Sequence, residues 1–134
     1  MTMAFDGPIP TAHPDAPPLP LPALGQYARR LLAQRRRRDQ LLGADLFGEP
    51  IWDMCLDLFA NAVEGRPVSI SSLCIASGTS TTTALRHIAM LVDRGLLLRR
   101  QDASDGRRVL VELAPMLFEQ LAHLLQSWRA SGEE

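Results

Sequence analysis

The stretch "GTSTTTALRHIAMLVDRGLLLRR", residues 78–100, decides the fold. It opens with a turn glycine and a cluster of Ser and Thr, and it continues as an apolar helix that stops at Gly95. Ser80 suits a helix start, since its hydroxyl can accept an otherwise unpaired backbone N–H. The stretch therefore predicts a capped helix over 80–94. Its core-facing positions, at helical spacing, are Ala84, Ile88 and Leu91.

The opposite side of this helix combines hydroxyls with a basic side chain. Small Thr side chains permit close approach and can touch a thymine methyl or a phosphate, and an arginine can reach guanine acceptors or the backbone. His87 lies at the margin, where a packed or half-buried histidine is expected in preference to a ligand. The outward residues are Thr81, Thr82, Leu85, Arg86 and Ala89.

The segment before this helix completes a two-helix unit. "PVSI", residues 67–70, predicts a small strand, and "SISSLCIASG", residues 69–78, predicts a short helix that is capped by a Ser and ended by Gly78. Two short helices joined by about four residues with a glycine form the helix-turn-helix pattern. In that motif the second helix places its N-terminal residues in the major groove of DNA.

A hairpin follows the second helix. "LLLRR" (96–100) and "RRVLVEL" (107–113) alternate in polarity and are separated by the turn sequence "QDASDG" (101–106). A basic hairpin directly after a helix-turn-helix is a wing. We expect a tip arginine of the wing, residues 99–108, to enter an adjacent minor groove, where narrowing deepens the negative potential.

Three further helical or extended segments flank this unit. A helix is predicted from Leu24 to about Leu42, with "RRRR" (35–38) interrupting its apolar stripe, so that some of these arginines must be solvated. "EPIWDMCLDLFANAVEG" (49–65) predicts a core helix with its proline in the first turn. Seven of the ten prolines fall in residues 1–22, which predicts a disordered tail; a docking segment for a partner is the alternative.

A last helix is expected after Pro115. Leu117, Leu121, Leu124 and Trp128 make one apolar stripe, and the helix near the N-terminus offers a second. The first stripe is extended sideways by Phe118, Ala122 and Leu125. We predict a homodimer built from these two terminal helices, because twofold pairing doubles the bases that are read. The alternative is that the two helices cover each other within one chain.

The predicted fold class is mainly α with a small β-hairpin wing, that is, a winged helix-turn-helix flanked by N- and C-terminal helices. Residues 1–22 form the tail and residues 23–48 the N-terminal helix and connector. The winged domain occupies 49–114, and the C-terminal helix occupies 115–134.

Charge and composition narrow the function. The chain has 14 basic residues, all Arg, and 15 acidic ones, so its total charge does not indicate any class of partner. Residues 65–113, however, hold seven Arg against four acids, a net of +3, whereas residues 49–64 carry four acids and no base. No catalytic triad, glycine-rich phosphate loop or metal-ligand spacing is present, so we expect neither an enzyme nor a cofactor.

Cys55 and Cys74 stand alone in apolar stretches, which predicts buried free thiols; a redox switch is the alternative. No apolar run approaches the ~20 residues of a membrane span, and the N-terminus lacks the order of a secretory signal. We therefore expect a cytoplasmic protein that makes no membrane contact and that associates with the nucleoid when bound to DNA.

Residues 73–113 resemble the winged helix-turn-helix core of the MarR family of bacterial transcriptional regulators. The resemblance implies that Arg86 is the DNA-contacting arginine of the recognition helix, and that Asp105 braces Arg107, which enters the minor groove. The chain departs from the family pattern at Leu85, Gly106 and Ala114, and in the 21 residues that follow Leu113. The family uses a longer C-terminal helical region for dimerisation, and nothing in this sequence names a small-molecule effector.

The sequence therefore predicts a regulator that binds double-stranded DNA in a sequence-specific way. The alternative is a winged-helix protein–protein interaction module without DNA binding, against which Arg86 and the cluster at Arg99, Arg100, Arg107 and Arg108 weigh. The predicted DNA-binding residues are Ser80, Thr81, Thr82, Leu85, Arg86, Arg100, Asp105, Arg107 and Arg108.

Overall fold

The computed structural model describes residues 19–131, and most of the predicted tail lies outside them. The predicted fold class is confirmed: these residues form helices and one small antiparallel sheet. The elements are α1 (Leu21–Leu42), α2 (Ala44–Phe47), α3 (Pro50–Val63), β1 (Val68–Ser69), α4 (Ile70–Ala76), α5 (Thr81–Asp93), β2 (Leu97–Gln101), β3 (Val109–Leu113) and α6 (Pro115–Ala130).

Helix α1 begins at Leu21, three residues before the predicted start, because Pro22 fits the first turn of a helix, where no amide hydrogen is needed. It packs along α3. The backbones of α1 and α3 approach each other closely at Gly25, where an added Cβ would lie 3.0 Å from a methyl group of Val63. The predicted connector between Gly43 and Gly48 contains the single helical turn α2.

The helix α6 lies across α3 and is held there by two aromatic pairs. The rings of Phe59 and Phe118 stack with centroids 4.9 Å apart, and Trp52 meets Trp128 edge-on at 5.9 Å. Such pairs add to the free energy that apolar burial provides. The fully buried stripe of α6 is Leu117, Leu121 and Leu125.

The buried apolar residues of α6 all belong to the predicted apolar surface, on the side that Leu125 extends, whereas Leu124 and Trp128 are half-buried. The corresponding stripe of α1 is buried against α3 and contacts α6. The most buried side chains of the two terminal helices are therefore covered within one chain, as the alternative expects. Leu124 and Trp128 stay half-buried, and the homodimer remains a prediction.

The sheet has the strand order β1-β3-β2, with both pairings antiparallel. The small strand predicted at "PVSI" is confirmed as β1, which pairs Val68 with Val111. The wing strands pair Leu97 with Leu113 and Arg100 with Leu110. None of the helices within residues 19–131 has both the length and the apolar character that a membrane span needs.

The arginine run at 35–38 divides into inward and outward members. Arg35 contacts Asp53 of α3 at 2.6 Å and Glu49 at 2.6 Å, and its side chain is 14% exposed. Arg38 pairs with Asp39 at 3.0 Å and donates to the carbonyl of Phe47. The two outward members, which are exposed, are Arg36 and Arg37.

The buried carboxylate of Asp53 explains why Arg35 faces inward. Burial raises the pKa of the Asp53 carboxyl, whereas the hydrogen bond from Arg35 and its positive charge act in the opposite direction. A carboxylate that is 5% exposed needs such a partner, because an unpaired buried charge costs several kcal/mol. The pair therefore fixes the second half of α1 to the start of α3.

We predict that Arg35→Met lowers the free energy of unfolding by about 3–5 kcal/mol at pH 7, because it leaves the Asp53 carboxylate buried and unpaired. Urea denaturation measures this loss, and Arg37→Met is the matched control, with little expected change. The difference in free energy of unfolding between the unmodified chain and the variant should become smaller as the pH is lowered. Since the pKa of Asp53 is raised in the fold, protonation removes the penalty as pH falls below that pKa. A loss under about 1 kcal/mol at pH 7 would contradict the role given to the pair.

Candidate nucleic-acid interface

The turn between α4 and α5 is closed by short side-chain hydrogen bonds. Ser69 caps α4 and accepts from the amide of Ser72 at 3.1 Å. The buried hydroxyl of Ser77 donates to the carbonyl of Cys74 at 2.6 Å and accepts from the amide of Thr79 at 3.3 Å. Gly78 has φ +71°, a conformation that costs glycine little. This turn fixes the angle at which α5 leaves α4.

The start of α5 is capped as the sequence predicts. The hydroxyl of Ser80 accepts from the amide of Thr83 at 3.2 Å and donates to the hydroxyl of Thr83 at 3.0 Å. The buried face of the helix consists of the predicted Ala84, Ile88 and Leu91. Because this face is packed in the core, the opposite side of α5 must point to solvent.

The solvent side of α5 carries the predicted outward residues, all of which are exposed: Thr81, Thr82, Leu85, Arg86 and Ala89. Within residues 19–131, Arg86 makes no ion pair, so its guanidinium is available to a ligand. His87 is half-buried at the margin, where it lines an apolar cavity. The predicted half-buried position of His87 is confirmed.

At the wing tip, Arg107 is bound by the carboxylate of Asp105. Asp105 accepts from the backbone amide of Arg107 at 3.1 Å and from its Nε at 3.3 Å. The Arg107 side chain is nevertheless 93% exposed. The contact between Asp105 and Arg107 that the family resemblance implies is therefore present. It positions the Arg107 guanidinium while leaving it exposed to solvent.

Asp102, which the sequence reasoning did not single out, organises the base of the wing turn. Its Oδ1 accepts from the amide and the hydroxyl of Ser104 at 2.9 and 2.8 Å. Its Oδ2 lies 3.4 Å from a guanidinium nitrogen of Arg108. Hydrogen bonds from Ser104, first the backbone one, lower the pKa of this carboxyl. The spacing Asp-x-Ser, typical of an Asx-turn, was the available signal.

The other predicted wing arginines are tied to acids. Arg100 lies 3.3 Å from Glu112 of the partner strand, and Arg108 is drawn to Asp102. The structure thus gathers Ser80, Thr81, Thr82, Leu85 and Arg86 on one helix surface. It places Asp105, Arg107 and Arg108 around the wing turn, with Arg100 further along the strand.

The apolar cavity beside His87 has a volume of about 420 Å³ and lies between α3 and α6. Cys55 is in its wall, and burial raises the pKa of this thiol to about 11. Cys55 and Cys74 are both buried and free, as predicted. A thiol with so high a pKa holds little thiolate at neutral pH, which disfavours the redox alternative for Cys55. Among the described residues, no cluster of three metal-ligating side chains occurs.

Comparison with solved structures finds chains of similar fold. A mutant of Staphylococcus aureus MepR has a TM-score of 0.51 and 19% identity, over 76% of this chain and 74% of that one. S. aureus MepR in a DNA-binding conformation has a TM-score of 0.49 and 18% identity, over 72% and 70%.

A probable transcriptional regulator from Pseudomonas aeruginosa has a TM-score of 0.46 and 26% identity, over 75% of this chain and 76% of that one. No protein-family model matches the sequence, and no curated protein matches it. At 19% identity, the likeness to the MepR mutant shows a shared fold.

Proposed function

We propose that this chain is a transcriptional regulator of the MarR type that binds duplex DNA, with α5 in the major groove and the wing in the adjacent minor groove. One observation carries the proposal: α5 exposes a continuous face of hydroxyl, small apolar and arginine side chains, while its other face is locked in the core. The resemblance of residues 73–113 to the MarR core supports the same assignment.

The exposed face of α5 has the chemistry that base edges require. Thr81 and Thr82 stand in the first turn, where the side chains are small and the amide dipoles of the helix favour a phosphate. Leu85 offers methyl groups to a thymine methyl, and Arg86 can donate two hydrogen bonds to a guanine. Since a B-DNA major groove is about 12 Å wide, it admits a helix with such small side chains.

The wing supplies a second contact of a different kind. Asp105 restricts the side chain of Arg107 before DNA arrives, so that less conformational entropy is lost on binding. A narrow minor groove attracts an arginine by its negative potential and not by a base-specific pattern. The wing would therefore read groove shape beside the bases that α5 reads.

The proposal is tested by selecting bound sequences from random duplex DNA and by titrating the binding of a selected site with salt. A specific regulator should enrich one motif, and its affinity should fall as salt rises, because phosphate contacts release counterions. Recovery of no duplex above background would favour the interaction-only winged helix.

We predict that Arg86→Ala weakens binding to the selected site by about 1–3 kcal/mol, roughly 5- to 150-fold, since one bidentate base contact is lost. Fluorescence anisotropy on selected and scrambled duplexes measures the change, with Arg37→Ala as the control arginine on α1. An equal loss on both duplexes would show that Arg86 contacts only phosphate, and unchanged binding would remove it from the interface.

We predict that Asp105→Ala weakens binding although it removes a negative charge, because Arg107 loses the carboxylate that positions it. Simple electrostatics predicts the opposite change. Glu119→Ala is the matched control: it also removes an exposed acid, on α6, and should leave binding equal or slightly tighter. Tighter binding by the Asp105 variant would refute the bracing role.

The proposed regulator is a homodimer that pairs two recognition helices on an inverted repeat. Because the most buried side chains of α1 and α6 are already covered within one chain, the second copy must contact apolar residues that solvent still reaches. The end of α1 and the adjoining α2 expose four large apolar side chains within seven residues: Leu41, Leu42, Leu46 and Phe47. A cluster of this kind is typical of a protein interface, and we assign it to the second copy.

Sedimentation equilibrium at micromolar protein should therefore give twice the chain mass of 14.8 kDa. Leu46→Glu should reduce the mass to that of one chain without loss of helicity, because it places a charge in the apolar contact. Met116→Glu is the control, since Met116 is similarly exposed but lies at the start of α6. A monomeric unmodified chain that binds one half-site would exclude this assembly.

A further inference from the structure

A polar cleft of about 330 Å³ opens between α1, the end of α3 and α4, and no residue of α5 lines it. Three arginines from separate parts of the chain converge on it: Arg29 and Arg36 from α1 and Arg66 from the loop before β1. Ser72 of α4 adds a hydroxyl. This cleft lies outside the predicted DNA-binding residues, and the proposed function does not use it.

The three arginines differ in how far they are already neutralised. Arg29 is paired with Glu64 through two hydrogen bonds of 2.7 and 2.9 Å, and it also contacts Asn61. Arg66 lies 3.5 Å from the same Glu64, and its side chain is 70% exposed. Arg36 makes no ion pair among the described residues, and its one hydrogen bond, to the carbonyl of Ala76, is 3.5 Å long.

The acids of the cleft do not cancel this charge. Asp57 lines the wall and Glu64 stands at its edge, so three arginines face two carboxyl groups. Arg29 and Glu64 largely neutralise each other. Arg36 and Arg66 then leave the mouth of the cleft with a net positive charge, because only Asp57 remains to oppose them.

We propose that Arg36 and Arg66 bind a phosphate of the DNA backbone that flanks the groove read by α5. The inference rests on the proposed function. In a helix-turn-helix the first helix, here α4, crosses the backbone while the second lies in the major groove. A cationic cleft beside α4 therefore suits a phosphate of that backbone, since planar guanidinium groups can donate parallel hydrogen bonds to phosphate oxygens.

The four arginines at 35–38 then have different roles. Arg35 and Arg38 hold α1 to α2 and α3, whereas Arg36 points to α4 and to the cleft. Arg37, one residue later, lies about 100° further round the helix and does not line the cleft. Arg36 and Arg37 are both exposed and are neighbours in sequence, but they differ in the proposed contact, which provides a matched pair of variants.

The test measures the affinity for the selected duplex between about 50 and 200 mM salt. Each phosphate contact contributes about 0.9 to the slope of log K against log salt. The double variant Arg36→Ala, Arg66→Ala should lower the slope by about 0.9, because the two arginines share one phosphate, and should weaken binding roughly fivefold near 0.15 M salt. The loss should be equal on selected and scrambled duplexes. Arg37→Ala should keep the wild-type slope, and Arg36→Lys should restore most of the charge-dependent part.

Two results would overturn the inference while the proposed function stands. One is a wild-type slope in the double variant while Arg86→Ala still abolishes preference for the selected site. The other is weaker binding with an unchanged slope, which would mean that α4 had shifted and that no phosphate contact was lost. If the unmodified chain binds no duplex, both the proposed function and the inference fail.

Discussion

The structure depends on the burial of α3. Met54, Leu56, Phe59 and Ala60 are fully buried, and α1, α4, α6 and β3 all contact this helix. A helix packed against four elements leaves little freedom to these neighbours, because protein interiors are close-packed and a displaced side chain must displace others. The position of α4 against α3 fixes the turn at Gly78, and that turn fixes α5. The orientation of the exposed Thr and Arg side chains is thus set by contacts on the far side of the molecule.

Local patterns predicted most of this architecture. The glycine turn, the Ser80 cap and the period of Ala84, Ile88 and Leu91 are signals carried within a dozen residues, so the second helix of the motif could be predicted with its faces. The hairpin followed in the same way from its alternation and its turn residues. Partners far apart in sequence could not be predicted. Periodicity shows that a face is apolar, but not which helix covers it.

The partners of α6 and the role of Arg35 depend on residues that are far apart in sequence. The apolar surface of α6 was predictable, but not that Phe118 and Trp128 contact the aromatic rings of α3. Arg35 is separated from Asp53 by 18 residues, and nothing local marks either as buried. Asp102 is a different case, since its contact with Ser104 is local and the Asp-x-Ser spacing indicates it.

Pairing, more than composition, determines where charge is available. A net charge of −1 with 14 arginines suggests no preference for nucleic acid. In the fold, however, Arg29, Arg35 and Arg108 form ion pairs with acidic side chains, which neutralise their positive charge. Arg86 has no such acid among the described residues, and Arg107 has one that leaves its side chain exposed. Because opposite charges neutralise each other locally, a nearly neutral chain can still expose arginines whose positive charge is not cancelled, and the proposed phosphate contacts depend on these side chains.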